Sequence, residues 1–229
     1  MVDIDRVYQK VLALANKEQR GYITPQEFNL LADKAQLEII NNYFHGVKTA
    51  YQKPKNQTEA SDEAEMLREK LSHIRTTTSE TISTTSGLAT VDLPTDTYMI
   101  ASIFLAAYTD SGNVNHPAVE IIEVDRHKLL EILSNPLTAP TARRPIYLRK
   151  ENTSGQTINI EIFPSNITDL TDLSAIDIDY WERPTTPNWG YIVVNQKALY
   201  NFNTSDHFRL HPSEEEPLVM RILELAGIT

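Results

Sequence analysis

The chain has 229 residues, 41% of them hydrophobic and none of them cysteine. That is enough for one large or two small domains with a real core, and it excludes a disulfide framework, a thiolate zinc site and a cysteine nucleophile. Its 21 Lys and Arg stand against 31 Asp and Glu, a net charge of −10. This is a poor balance for a sequence-independent clamp on nucleic acid, whose affinity comes from basic side chains on phosphates.

In chain order, Ile4, Val7, Tyr8, Val11, Leu12, Leu14 and Ala15 predict a helix with one buried stripe, capped by Asp3 and ended near Gly21. Thr24-Pro25-Gln26-Glu27 is a capping box with proline at the first helical position. The helix beginning there sets Phe28, Leu31, Ala32, Ala35, Ile39 and Tyr43 on one face. Gly46 is its expected C′ residue, and His45 its expected C-terminal capping side chain. A loop is expected over 48–60, including Lys53-Pro54-Lys55-Asn56, and a third helix from about Asp62.

From Arg75 the pattern turns to β. Residues 76–86 are dense in hydroxyls and β-branched side chains, either a polar linker or a strand. Residues 88–93 alternate, and 99–108 read as a buried central strand. Residues 114–124 read as strand, and Asp125 caps a short helix carrying Leu129, Leu130, Ile132 and Leu133 that stops at Asn135-Pro136. Ile158, Ile160 and Ile162, and then Ile176, Ile178 and Tyr180, have the period of two of half-buried antiparallel strands. Segments 145–150 and 191–194 are their expected partners. After Ser213 and three glutamates, Leu218, Val219, Ile222, Leu223 and Leu225 form the stripe of a last helix, ended by Gly227. The expected fold is α+β: helices over 1–75, a mostly antiparallel β domain over 76–212 and a C-terminal helix over 213–229.

The chain has no phosphate-binding glycine loop, no G-x-S-x-G and no H-E-x-x-H. No apolar run reaches the length of a membrane span, and the acidic start has no secretory core, so a soluble, non-secreted protein is expected. His207 and His211 are four apart, a spacing that pairs them for a metal on a helix, but the segment reads as strand or loop, where they lie about 13 Å apart. His73, His116 and His127 have no convergent partner in sequence. Asp177 and Asp179 share a strand face in the manner of a carboxylate pair, and a solvated or interfacial face is the expected reading of them. Asp169 and Asp172 fall in a turn-like run and carry the same reading. Arg143, Arg144, Arg149 and Lys150 form the densest basic cluster, suited to phosphate or to an acidic neighbour. The segment 180–191 gathers Tyr180, Trp181, Trp189 and Tyr191 around prolines, either a stacking platform for sugars or bases or a loop covering the core.

The stretch Ala13-Leu14-Ala15-Asn16-Lys17-Glu18-Gln19-Arg20-Gly21-Tyr22-Ile23-Thr24-Pro25-Gln26-Glu27-Phe28-Asn29 resembles the opening of virion structural proteins from crAss-like and related short-tailed phages. Other similar stretches are Ser134-Asn135-Pro136-Leu137-Thr138-Ala139-Pro140-Thr141 leading into Arg144-Pro145-Ile146-Tyr147, Ile162-Phe163-Pro164-Ser165, Tyr180-Trp181-Glu182-Arg183-Pro184 and Pro187-Asn188-Trp189-Gly190-Tyr191. The closing Arg221-Ile222-Leu223-Glu224-Leu225-Ala226-Gly227-Ile228 is similar too.

The resemblance implies a head–tail connector, or adaptor, ring with no enzymatic activity and no cofactor. Such a ring of about twelve subunits would dock on the portal in the virion neck, after assembly in the host cytoplasm, and carry further tail proteins. It would pass viral DNA without specific binding, and roughly −120 formal charges around the ring would repel the polyanion from the wall. On that reading Leu218, Val219, Ile222 and Leu223 are a candidate docking helix for the portal or a neighbouring ring. Arg143, Arg144, Arg149 and Lys150 are a candidate inter-subunit patch. The alternative is a tail-associated glycan-binding or glycan-hydrolysing component, with Trp181 and Trp189 as platform and Asp177 and Asp179 as acids.

Overall fold

The computed structural model describes residues 1–17, 23–52, 58–85, 88–109, 115–141, 143–151, 158–164 and 175–228. The expected helix end at Gly21, the loop at Lys53-Pro54-Lys55-Asn56, Ser86 and the Asp169/Asp172 run lie outside the described residues. The chain is α+β and divides into two compact units, one of residues 1–74 with 184–229 and one of residues 75–183.

The first unit is built on α1 (Ile4–Lys17), α2 (Pro25–Gln52), α3 (Thr58–Ser72) and α5 (Glu215–Leu225). The cap signals act as their chemistry dictates. Asp3 accepts from the amides of Asp5 and Arg6 at 2.8 and 3.1 Å. In the capping box the Glu27 amide donates to Thr24 Oγ1 at 3.3 Å, and the Thr24 amide to Glu27 Oε2 at 3.0 Å. Phe28, Ala32, Ala35, Ile39 and Tyr43 are buried, as their spacing predicts. The end of α2 is a correction. Gly46 is not its C′ residue and His45 does not cap it, because the helix runs on to Gln52. A Cβ on Gly46 would lie 2.8 Å from Leu67 Cδ1, so this glycine lets α3 approach α2 closely. The expected loop over 48–60 shortens at both ends for the same reason: α2 and α3 extend into it. At the end of α5, Gly227 has a φ of 75°. The Ile228 amide bonds Leu223 O at 2.9 Å and the Gly227 amide bonds Glu224 O at 3.0 Å, the paired geometry of a Schellman cap.

Residues 184–212 differ from their expected place in the β domain. They belong to the helical unit. Two amide side chains two turns apart on α2 hold them there. Gln36, buried, donates from Nε2 to Thr185 O at 3.1 Å and accepts the Arg209 amide on Oε1 at 3.0 Å. Asn29 accepts the Trp189 amide at 2.8 Å and donates to Asn188 Oδ1 at 2.8 Å. Buried backbone polar groups must find partners, and here helix side chains supply them. Segment 191–194 is therefore no partner of the β domain's strands.

The second unit is a β-sandwich. Strands β1 (Arg75–Thr81), β4 (Thr97–Leu105), β7 (Val119–Glu120) and β11 (Ala175–Glu182) form an antiparallel sheet in the order β1-β11-β4-β7. Strands β2 (Ser83–Thr85), β3 (Leu88–Asp92), β8 (Ile122–Glu123), β9 (Ile146–Glu151) and β10 (Ile158–Phe163) form the other, in the order β2-β3-β10-β9-β8, with β8 parallel to β9. Strand β5 (Tyr108–Thr109) pairs antiparallel with β6 (Asn115–His116). The hydroxyl-rich stretch is thus two strands, β1 and β2, in different sheets.

Between the sheets lie Val91, Ile103, Leu105, Ile160, Ile162, Ile176 and Ile178, all nearly inaccessible. The register of β11 on β4 shifts between Asp179 and Tyr180, opposite Ala101. That extra residue lets Ile100 join Ile103 on the inner face although their separation is odd. Helix α4 (Arg126–Ser134) lies on the outer face of the five-stranded sheet, where Leu129 packs with Val124, Ile146 and Leu148. Asp125 is its N-cap residue by position, but its side chain makes no capping bond.

Candidate functional site

The apolar stripe of α5 is not a docking face, which corrects the expectation for Leu218, Val219, Ile222 and Leu223. Their exposures are 0, 1, 0 and 5%, and α5 packs against α1 and α2 of its own chain. A side chain buried at home has no surface left for a portal. Three consecutive acids fix the helix start. Glu214 pairs with Lys70 at 2.7 Å, and Glu215 with Arg6 and Lys10 at 2.8 and 2.7 Å. Glu216 also meets Lys10. Burial pushes the Glu214 carboxyl up, but Lys70, Tyr43 and Ser213 outweigh it and hold the group below the usual carboxylate range. Burial beside that carboxylate drives the Tyr43 phenol upward. The acids therefore complement the helix dipole and tie α5 to α1 and α3.

The aromatic segment divides between the units. Trp189 is buried, its ring 4.3 Å from Tyr8, with Nε1 donating to Asp5 at 2.9 Å. Tyr191 and Tyr200 cover it at 5.8 and 5.9 Å. Its face is closed to a sugar ring, so Trp189 is no stacking platform. Gly190 is required beside it, because a Cβ there would lie 2.6 Å from the Thr204 carbonyl oxygen. Beyond Gly190 the chain forms a two-stranded ribbon of β12 (Tyr191–Val194) and β13 (Lys197–Tyr200), turned by Asn195 and Gln196 at φ of 51° and 63°. Ile192, Val193, Leu199 and the nearby Phe202 are each more than half exposed. Three successive exposed apolar residues, Ile192 to Val194, break the alternation of a half-buried strand and place apolar side chains on both faces of the ribbon.

The predicted basic quartet splits into two pairs. Arg149 bonds Glu123 at 2.9 Å, and Lys150 pairs with Glu161. Both are engaged within the chain. Arg143 and Arg144 are exposed, and no ion pair joins them to an acid among the described residues. The tight turn that closes with the Arg144 amide on Thr141 O at 2.9 Å leads directly into β9, whose Ile146 and Leu148 lie under α4. On α4, Leu130 and Leu133 are 64 and 44% exposed. The sequence placed all four apolar residues of this helix together; only Leu129 is buried.

Asp177 and Asp179 point away from the sandwich core and meet β1. Ser79 Oγ donates to Asp177 at 2.5 Å, Arg75 bonds Asp179 at 2.5 Å, and Thr77 also donates to Asp179. Burial raises the Asp179 carboxyl, yet Thr77 and Arg75 bring it below its ordinary value. A general acid needs the opposite shift. Each described histidine of the predicted pair caps backbone: His207 Nδ1 accepts the Ile4 amide and His211 Nδ1 the Ser213 amide, both at 3.2 Å. Among the described residues no group of three His, Asp or Glu is placed to hold a metal ion, and no helix is long and apolar enough to cross a membrane. No protein-family profile matches the chain, and no curated protein sequence matches it.

Proposed function

We propose that the chain is a head–tail connector protein of a short-tailed phage. In this reading it forms a homo-oligomeric ring on the portal, contributes to the DNA passage and carries further tail components. Its role is structural, without a catalytic centre or cofactor, and it resides in the virion neck.

The observation that carries the reading is the presence of two different exposed apolar surfaces, one on each unit. They are the β12–β13 ribbon with Phe202, and the Leu130/Leu133 face of α4. A ring in a neck needs more than one kind of surface per subunit, one set for its heterologous neighbours in the ring and another for the portal or tail protein stacked on it. The resemblance of segments spanning nearly the whole chain points the same way. The charge of −10 per copy suits a channel through which a polyanion must slide. The glycan reading receives no such support, because Trp189 is covered and Thr77 and Arg75 hold the Asp179 carboxyl below its ordinary value, the wrong direction for a general acid.

The test is quantitative mass spectrometry of purified virions of the encoding phage, with the copy number set against the portal protein. Parity is the expected result. Absence from the particle overturns the reading.

A further inference from the structure

Helix α3 carries an outward stripe that is exposed to solvent. Asp62, Glu65, Met66 and Glu69 are spaced i, i+3, i+4 and i+7 and all are exposed, while Ala64 and Leu71 on the opposite side are buried. Three like charges on one stripe repel, and no basic residue shares it. Helix α4 has the complementary arrangement. Arg126, Leu130 and Leu133 are spaced i, i+4 and i+7 on one exposed flank, and the turn bearing the exposed Arg143 and Arg144 feeds the strand beneath.

Resting on the ring reading, we propose that the α4 flank with the Arg143–Arg144 turn of one copy docks on the acidic α3 stripe of a second copy. Leucines meet a methionine in the centre, and arginines meet carboxylates at the rim. The two surfaces belong to different units and differ in sign, so the contact is head-to-tail and propagates from copy to copy. Charge complementarity sets its register and speeds the encounter. Bidentate arginine–carboxylate bonds give it directional preference. The contact also relieves the repulsion on α3 that nothing within its own stripe offsets.

The test uses three full-length variants in sedimentation velocity, each checked for native far-UV dichroism. Arg143→Glu with Arg144→Glu reverses one surface, Glu65→Lys with Glu69→Lys reverses the other, and the third chain carries both reversals. Each single-surface variant is expected to weaken self-association at least about tenfold, and the combined chain to recover it. Raising the salt from about 0.05 to about 0.5 M should weaken the parent's association likewise. Leu130→Ser, which leaves every charge in place, should weaken it too. Association that ignores both reversals, a combined chain that fails to recover, or a parent monomeric up to about 1 mM overturns the contact. Portal-level copy number in virions alongside any of those outcomes would retain the ring and place its interface elsewhere. Absence from virions with successful charge-swap recovery would retain the contact and remove the ring.

Discussion

Helices α4 and α5 carry similar clusters of four large apolar side chains and treat them in opposite ways. In α5, Leu218, Val219, Ile222 and Leu223 are all buried. In α4, Leu129 is buried, Ile132 is half-buried, and Leu130 and Leu133 face outward. The difference is the number of surfaces against which each helix packs. Helix α5 has α1 and α2 beside it and three acids clamped by basic side chains at its start. Helix α4 lies on a single sheet face. A helix with two helical neighbours encloses a wide apolar stripe, whereas one resting on a sheet encloses a narrow one and leaves its flank to something else.

The comparison breaks most visibly at Ile222. Ile222→Ala leaves a cavity in the helical unit and should cost about 2–5 kcal/mol in urea unfolding. A loss below about 1 kcal/mol would mean that α5 is not the core element described.

An intermediate effect is expected at the clamp. Lys70→Met removes the cation from Glu214 and should cost about 1–2 kcal/mol at neutral pH. The sign of the pH dependence comes from the lowered Glu214 value. The ionised carboxylate contributes its stability above the unfolded value, and that contribution is lost as pH falls through the folded one. The acid-unfolding midpoint, followed by tyrosine fluorescence, should therefore move to higher pH in Lys70→Met. An unchanged midpoint would remove the clamp from the account.

Leu130→Ser sits at the other extreme, within about 0.5 kcal/mol of the parent in the same unfolding assay. A large loss there would show that the outward flank of α4 is part of the core after all.

Local signals were legible in the residues themselves. The Asp3 and Thr24–Glu27 caps, the Gly227 cap and the alternation of Ile176, Ile178 and Tyr180 each depend on a few neighbouring residues, and each is realised. Long-range placement was not legible. Gly46 reads as a helix end until Leu67 is known to lie against it. Tyr191 to Val194 reads as another strand of the β domain, because nothing local reveals that Asn29 and Gln36 capture the adjoining backbone. The α5 stripe reads equally well as a docking face, since periodicity reports that one side is apolar but not what covers it. The basic quartet divides into engaged and exposed pairs only when Glu123 and Glu161 come into register beside it.

The β-sandwich is inserted into the helical unit, entering at Arg75 and leaving at Arg183, and its first and last strands pair, with Arg75 opposite Trp181. This nesting has a consequence for the chain as it leaves the ribosome. Every residue of the sandwich has been synthesised by Arg183, while the helical unit still awaits Thr185, Trp189, Arg209 and all of α5. Domains fold as units during synthesis, so the inserted unit can close first. Until residues 184–225 arrive, the first three helices must keep Asn29 and Gln36 without the backbone they bond, and Tyr8 without the Trp189 ring beside it. Helices made before the sandwich are thus completed after it, and a chaperone that acts on this protein during translation would find its substrate in α1 to α3.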